Sequence, residues 1–573
     1  MSKKDPRIVV ILGLVFLLGL AEGCATKVEP ADLVLTNGKI VTMDVFLPQA
    51  EAMAVSGGKI VEVGKAKRIG RYVGPATEVI DLGGKLAVPG LIDSHLHFQG
   101  IGQAKLSLDL TKVKSWDEIV AMVAEAVKTA KPGDWITGRG WHQEKWTKRP
   151  EPNVNSLPVH DALSKVSPDN PVVLTHASGH SSLVNAKAMA LANITAKTPN
   201  PPGGEIIKDA KGRPIGAFLE TAQGLIRGGR SRTQAARSPQ DIEAEQMKVV
   251  ELADTECLSK GLTSVHDAGV GWGTVELYKK AIDSGKLGVR LNVMLSTGNK
   301  QLQEKAAEYR LIGYGADHLT VRSIKRLIDG ALGSHGAWLL EPYEDLPTST
   351  GLNTEPIDNL KETARIAIEN GFQLGVHAIG DRANRETLNI FEEAMKAHPD
   401  KKDIRWRVEH AQHISSADIP RFGGLGVIAA MQAIHCTSDG PWVLMRLGAK
   451  RAEEGAYAWR KLISSGAVIS NGTDAPVEDV DPIPGFYAAV TRKMKTGETF
   501  YADQKMTREE ALRSYTLNGA FAAFEETIKG SLAAGKLADI TVLSKDIMTC
   551  PEDEILSAQI AYTIVGGKVL YKK

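Results

Sequence analysis

Two histidines one residue apart end a short apolar stretch of the chain, and imidazoles at that spacing can bind a metal ion. The stretch covers residues 86–98, and its apolar residues and Pro-Gly entry predict a short buried strand. Side chains two positions apart on a strand point the same way, so His95 and His97 leave one face together. They can bind one divalent ion, although a bare His-x-His pair is equally consistent with two ordinary histidines.

A lysine within another apolar stretch is unusual. Lys325 lies in residues 321–334, where a predicted strand runs into a glycine-rich loop. Burying an unpaired ammonium is costly, and desolvation favours the neutral amine. A neutral amine can add carbon dioxide and become an anionic carbamate. The alternative is a lysine whose ammonium reaches solvent along the outside of the fold.

Three further polar residues stand at the ends of predicted strands. His377 and His410 are the last residues of two apolar stretches, and Asp474 follows a third. A lone histidine at such a place is more often a packed core residue. A carboxylate beside a metal can accept a proton from water and pass it to a leaving group. The alternative for Asp474 is the N-cap of a following helix.

In chain order, these residues resemble the ligand set of the amidohydrolase superfamily. The Pro-Gly-Leu-Ile-Asp-Ser-His-Leu-His motif at 89–97 is similar to the family's first-strand signature, and Lys-x-x-x-Asp-Gly at 325–330 resembles its lysine motif. His377 and His410 match its fifth- and sixth-strand histidines, and Gly-Thr-Asp at 472–474 matches its eighth-strand aspartate. The implied metal centre consists of six side chains: His95, His97, Lys325, His377, His410 and Asp474.

This resemblance, which covers residues 31–573, also implies a reaction. One or two divalent ions, with zinc as the expected metal, would lower the pKa of a bound water to about 7. Water would attack an amide, a cyclic amide or another C–N bond of a small molecule. Lys325 would be a carbamate that bridges two ions, and Asp474 would be the catalytic proton shuttle. Imidazole ligands also suit iron, nickel and copper, so the sequence does not specify the metal.

Two other functions remain open at this point. The same ligand set on the same fold can cleave esters, so an esterase, lactonase or phosphotriesterase-like hydrolase is the first alternative. The second is a non-catalytic metal- or solute-binding lipoprotein. All six ligand positions are occupied, which argues against a degenerate site.

The proposed ligands need strands whose ends meet at one place. Over residues 88–526, short apolar stretches alternate with helix-like ones, which is typical of a parallel α/β fold. In a (β/α)8 barrel, the residues that do chemistry lie at the C-terminal ends of the strands, where each proposed ligand falls. We therefore predict a (β/α)8 barrel over 88–526. Short β-type stretches over 31–87 and 527–573 predict an appended β-sandwich built from both termini, as the family resemblance also implies.

The interval between His97 and the next predicted barrel strand is too long for one loop. We predict an insertion over about 100–225 beside the mouth of the site. Its Gly-Trp and Gly-His…Asn-x-Lys-Ala patterns resemble the insert of the amidohydrolase-3 subgroup, which contains metal-dependent hydrolases like N-substituted formamide deformylase. Three residues are predicted to bind substrate: His180, Gln432 and His435. Two other polar residues, His142 and Glu220, are more consistent with ordinary residues of a small α+β insert.

The composition excludes several other classes of protein. The chain has 573 residues, 43% of them apolar and 24% charged, and a formal net charge of +1. These are globular values, and without a dense basic run a nucleic-acid partner is not expected. The expected partner is a small-molecule substrate, and a homodimer is left open. The few cysteines do not indicate a disulfide framework.

The first residues resemble an export signal. Basic residues precede an apolar run over 8–20, and small residues follow it at 21–24. The run is short for a membrane span, which needs about 20 residues, although an uncleaved membrane anchor is the alternative. Gly-Cys at its end resembles a bacterial lipobox, which would make Cys24 a lipidated N-terminus. We therefore predict a signal segment over 1–24 and export to the cell envelope or periplasm, with membrane contact only through this anchor.

Overall fold

Eight parallel strands form the centre of the molecule and are hydrogen-bonded in chain order. The computed structural model describes residues 28–234 and 238–573, so the predicted signal segment and Cys24 lie outside the described residues. The eight strands are Leu91–Leu96, Leu262–Val270, Arg290–Leu295, Leu319–Leu327, Gln373–Ala378, Arg407–His410, Ile428–Met431 and Ile469–Asn471. They nearly close into a cylinder, which confirms the predicted (β/α)8 barrel.

The first and eighth strands meet at their C-terminal ends. The backbone N–H of Asp474 donates to the carbonyl of His95 at 2.7 Å, and that of His97 donates to the carbonyl of Ala475 at 2.8 Å. The buried carboxylate of Asp93 accepts from the backbone N–H of Thr473 at 3.0 Å and from its hydroxyl at 2.6 Å. The backbone itself therefore holds the His95–His97 pair next to Asp474.

Helices surround the barrel. Asp381–Ala397, for example, has an apolar face that buries Leu388 and Phe391, three positions apart. The other helices that accompany the barrel are Phe98–Lys105, Pro239–Ser259, Trp272–Asp283, Asn299–Tyr309, Tyr314–Asp317, Ile357–Glu369, Ile419–Leu425, Ala433–Gly455, Trp459–Ser464, Pro482–Thr491, Arg508–Ser514 and Leu517–Ala522. A short strand, Leu311–Gly313, pairs with the fourth barrel strand. Within the described residues, no helix is both long and apolar enough to cross a membrane.

Two sheets from the chain termini pack beside the barrel. The first contains Leu33–Thr36, Ala52–Ser56, Lys59–Gly64 and Glu78–Asp81, and the helix Ala66–Ile69 packs near it. The second contains Lys39–Val41, Gln49–Ala50, Leu86–Pro89, Ile540–Leu543, Ile560–Val565 and Lys568–Lys572. Leu35, Val55 and Ile540 belong to one shared apolar core between them. This is the predicted sandwich, while the domain boundaries given above stay predictions.

The insert after the first barrel strand has a sheet of its own. Its strands are Leu108–Asp109, Ile136–Trp141, Val172–His176, Ser181–Val184, Gly204–Lys208 and Pro214–Glu220, with a separate pair formed by Asn153–Val154 and Leu157–Pro158. Its helices are Trp116–Val127, Asp161–Val166, Ala186–Leu191 and Gln223–Gln234. The guanidinium of Arg139 joins the insert to the barrel, since it donates to the carbonyl of Pro476 at 3.2 Å.

Candidate metal centre and active site

The predicted histidines converge at the C-terminal end of the barrel. The ring centroids of His95 and His410 lie 4.7 Å apart, and those of His377 and His410 lie 4.5 Å apart. Oδ1 of Asp474 lies 3.2 Å from Nε2 of His97 and 3.6 Å from Nε2 of His95. Candidate ligand atoms of His95, His410 and Asp474 all lie within 4.8 Å of one another. The tertiary structure thus brings these predicted ligands to one point.

Lys325 lies inside the barrel rather than on its outside. Lys325 is only 3% exposed to solvent, and its Nζ lies 3.4 Å from Nε2 of His95. Burial lowers the pKa of its ammonium, although the carboxylates of Glu409 and Asp474 act in the opposite direction. The solvent-reaching alternative for Lys325 is therefore excluded, and its amine is available beside the histidines.

A buried ion pair orients His95. Nδ1 of His95 is hydrogen-bonded to Oε2 of Glu409, whose other oxygen lies 2.7 Å from Nε of Arg407. Burial raises the pKa of Glu409, but Arg407 and His95 together hold it well below its usual range. An ionised Glu409 accepts a hydrogen bond from Nδ1–H of His95, so Nε2 of His95 presents its lone pair to the site.

His410 is oriented in a similar way by an amide. Its Nδ1 lies 2.7 Å from Oε1 of Gln432, and an amide oxygen can only accept, so Nδ1 carries the proton. Nε2 of His410 is therefore the nitrogen that presents a lone pair. The contact places Gln432, which was predicted to bind substrate, behind a candidate ligand.

His377 has a buried nitrogen without a hydrogen bond. Its Nε2 has no such partner among the described residues, although Oδ1 of Asp329 lies 3.4 Å away. Asp329 is occupied by the backbone N–H groups of Trp338, Ile379 and Gly380 at 2.8–3.0 Å. Burial raises the pKa of Asp329 to about 7 against the effect of these hydrogen bonds. An orphaned buried imidazole nitrogen is costly unless a ligand uses it.

These donors fit a divalent metal. The buried imidazoles of His95 and His410 offer nitrogen lone pairs near the carboxylate of Asp474, and the buried ring of His377 lies against that of His410. Mixed imidazole and carboxylate donors at one point are the ligands that zinc and similar ions prefer. The chain therefore has the side chains for a metal centre at the predicted place.

Two of these residues have an unusual backbone conformation. His410 has φ of 73° and Asp474 has φ of 58°, in the left-handed region that residues other than glycine seldom adopt. Glu409 already faces the barrel interior, so regular alternation would point the next side chain outward. The left-handed conformation at His410 turns its ring back toward the centre. Such strain is typical of functional positions.

Two cavities of very different size meet at the site. A cavity of about 1150 Å³ lies between the barrel and the insert, and His97, Arg139 and Lys325 are among its lining residues. A chamber of about 60 Å³ is lined by side chains that include His410 and Asp474. His180 borders both cavities. The candidate centre therefore borders one small and one large space, whose linings share His180.

The other predicted substrate residues lie at these cavities as well. The ring centroid of His180 is 5.1 Å from that of His377. The His435 ring lies nearly parallel to that of His410, with centroids 6.4 Å apart, and lines the small chamber. His142, which the sequence left as an ordinary polar residue, also lines that chamber.

Sequence reasoning missed several residues that hold the ligands in place. Arg407 and Glu409 lie three residues and one residue before His410, and their charges in a predicted buried strand were a usable signal. Asp93 lies two residues before His95, within the first-strand motif at 89–97, yet only the structure shows that its carboxylate joins the first and eighth strands. Glu220 was interpreted as an ordinary insert residue, and the structure places it 2.6 Å from Nδ1 of His180.

Known proteins resemble this chain over nearly its whole length. The model of the amidohydrolase family matches residues 78–571. Protein LONG AFTER FAR-RED 3 of Arabidopsis thaliana is 33% identical, over 94% of this chain and 92% of that protein. N-substituted formamide deformylase of Arthrobacter pascens is 28% identical, over 95% and 98%. The crystal structure of a metal-dependent hydrolase from Pyrococcus furiosus superimposes with a TM-score of 0.69 at 28% identity, covering 90% and 100%.

Proposed function

The chain belongs to the amidohydrolase family of metal-dependent hydrolases, and we propose that it hydrolyses an amide C–N bond in a small molecule. The observation that carries this proposal is the convergence of His95, His410 and Asp474 within 4.8 Å beside a buried lysine. The similarity to a protein named as a formamide deformylase supports amide chemistry over ester chemistry. We expect zinc, one ion or two, as the metal.

His95, His97, His377, His410 and Asp474 would hold the metal. A bound divalent ion lowers the pKa of a coordinated water to about 7 and polarises the carbonyl under attack. Asp474 then accepts the proton of the attacking water and donates it to the leaving nitrogen. Oδ1 of Asp474 lies within 3.6 Å of Nε2 of both His95 and His97, so these three donor atoms could share one ion.

Lys325 is proposed to carry a carbamate. Its neutral Nζ attacks carbon dioxide, an N–C bond forms, and one proton leaves to solvent, so the side chain becomes an anion. Burial of the amine, which lowers its pKa, favours the neutral form that this step needs. The carbamate would bridge two ions and offset part of their charge.

The unequal cavities suggest how the substrate lies. The chamber of about 60 Å³ has room for a small acyl group, whereas the cavity of about 1150 Å³ has room for a bulky nitrogen substituent. An amide with a small acyl part and a large amine part therefore fits better than the reverse.

Export is a separate part of the proposal. The charged, apolar and small-residue order of the first 24 positions supports secretion to the cell envelope, with a lipid on Cys24. Labelling cells with a radioactive fatty acid should mark the protein, and Cys24→Ala should remove the label. An unlabelled protein that is released from the envelope in soluble form would contradict lipidation but not export.

One experiment tests the proposed reaction. The purified protein is loaded with zinc and assayed on matched panels of N-alkyl amides, alkyl esters and phosphotriesters, with and without a chelator. We expect turnover of amides that is lost with the chelator and returns with zinc. Faster turnover of every ester than of its matched amide would assign the esterase alternative, and no turnover in a zinc-loaded protein would favour a binding role.

A further inference from the structure

A carboxylate of the insert holds one of the imidazoles at the site. Oε2 of Glu220 lies 2.6 Å from Nδ1 of His180, and the two side chains are 5% and 15% exposed. No hydrogen bond to Nε2 of His180 occurs within the described residues, and His180 lines both cavities. The second ring nitrogen is thus the one available to a bound molecule.

A notch in the barrel receives this carboxylate. Gly330 and Gly336 belong to the loop that follows the fourth barrel strand, and Lys325 lies on that strand. An ideal Cβ at Gly336 would lie 2.6 Å from Oε1 of Glu220, and one at Gly330 would lie closer still. Glu220 itself has φ of 49°, in the left-handed region. The Glu220 carboxylate therefore fits against this loop only because residues 330 and 336 have no side chain and because Glu220 itself has a strained backbone conformation.

The arrangement is costly for a merely structural contact. Oε1 of Glu220 is buried and has no hydrogen-bond partner in the described part of the chain. A buried oxygen without a partner destabilises the fold, and the strained backbone adds to that cost. Features of this kind persist where a side chain must be held in one position.

We propose that Glu220 is a positioning residue that fixes His180, so that Nε2 of His180 contacts the substrate at the metal centre. The inference rests on the proposed amide hydrolysis. Because Nδ1 is hydrogen-bonded to a carboxylate, the ring is held in one orientation and in one tautomer. The orienting carboxylate beside a catalytic histidine acts in the same manner in serine hydrolases. Without Glu220, the ring would rotate and Nε2 would leave the reacting group.

The notch allows a test that leaves the chemistry of His180 unchanged. Gly330→Ala should push the end of the Glu220 side chain aside, because the added Cβ meets a flexible carboxylate rather than backbone. We expect both Glu220→Ala and Gly330→Ala to lower kcat by on the order of 100-fold with little change in KM. In the double variant, Gly330→Ala should cost nothing further, since no carboxylate remains to be displaced. Gly70→Ala, where an added Cβ meets no atom within 4 Å, is the matched control and should behave as wild type.

A second measurement does not depend on turnover. Nitrogen-15 NMR of labelled histidines distinguishes the two ring nitrogens, and His180→Ala identifies the signals of His180 by their loss. In the wild type we expect the His180 ring to have one tautomer, with the proton on one ring nitrogen. In Glu220→Ala and Gly330→Ala we expect signals averaged over both tautomers, with metal content unchanged in all variants.

Additive losses of kcat, or a His180 signal that Glu220→Ala leaves unchanged, would overturn the inference. Loss of metal from Glu220→Ala would instead make His180 a ligand and also overturn it. A wild type without amide turnover but with the expected NMR result would refute only the proposed reaction.

Discussion

The barrel end and the insert both supply side chains to this site, but the side chains differ in how they are held in position. On the barrel, His95 is held by Glu409 from the sixth strand, across the barrel, and His410 is held by Gln432 from the end of the seventh strand. On the insert, His180 depends on one carboxylate that reaches across to a loop of the barrel. We infer that the rigid barrel end sets the metal chemistry, whereas the insert sets which substrate meets it.

The largest effect should come from removing a barrel ligand. His95→Ala should abolish metal binding and lower turnover by about 1000-fold or more, because several kcal/mol of metal assistance disappear at tenfold per 1.36 kcal/mol. Metal analysis of the purified variant, together with its melting curve, checks this. His398→Ala, at the end of a helix outside the barrel, is the control and should keep its metal. Full metal content and normal turnover in His95→Ala would make His95 an ordinary histidine.

The carboxylate at the barrel end should matter for the reaction step alone. Asp474→Asn should lower kcat by about 10²–10⁴-fold, because an amide cannot accept and return a proton. KM should change little if chemistry is slow relative to substrate dissociation. Steady-state kinetics at full metal occupancy check this. The helix-cap alternative for Asp474 is excluded, because the next helix, Pro482–Thr491, is capped by Asp481. A kcat near that of the wild type in Asp474→Asn would make Asp474 a structural residue of its turn and refute the proton transfer.

Replacing Lys325 tests whether this residue bridges metal ions or has only a structural role. Lys325→Ala should lower activity by at least about 100-fold, the upper end of what outer partners of a metal ligand contribute. Short carboxylic acids should partly restore it, since they supply the missing anion. The same acids should not raise the activity of the wild type. An unmodified lysine amine in the electron density of the active, metal-loaded protein would refute the carbamate.

The partner behind His95 should affect affinity and stability together. Glu409→Gln should weaken metal binding by about 10–100-fold. It should also cost about 3–5 kcal/mol of unfolding free energy, because Arg407 remains buried without its counter-charge. Metal titration and denaturant unfolding measure both effects. Glu362→Gln breaks the half-exposed pair of Glu362 with Arg365 and should cost about 1 kcal/mol or less. Equal costs for the two variants would contradict the comparison.

The smallest effect is expected at Arg139, where one side chain of the insert reaches the barrel. Arg139→Lys keeps the positive charge but loses the fork that reaches the carbonyls of Pro476 and Ala177, both at 3.2 Å. Losing about one hydrogen bond, roughly 1 kcal/mol, should raise KM by several-fold and leave kcat and metal content nearly unchanged. A loss of metal in this variant would show that the insert also supports the metal centre.

Much of the barrel end was predictable because its signals are local in the chain. A short apolar stretch that ends in His or Asp predicts both a strand and the side chain at its C-terminal end. Strand alternation also predicts that His95 and His97 lie on the same face. The order of such motifs predicted the barrel, the six candidate ligands and the insertion. Glu409 shares a strand with His410 and could have been found from its charge.

The partners of these ligands were decided by the tertiary structure. Glu409 and His95 are 314 residues apart in the chain, and no local pattern states that barrel closure brings them into contact. The motif around Lys325 favoured a ligand role, but only the closed barrel shows that its side chain lies inside. Glu220 acquires its place only when the insert docks on the Gly330 loop. Local periodicity specifies which face of an element a side chain occupies, but contacts between distant elements depend on how those elements pack, and only the folded chain determines that.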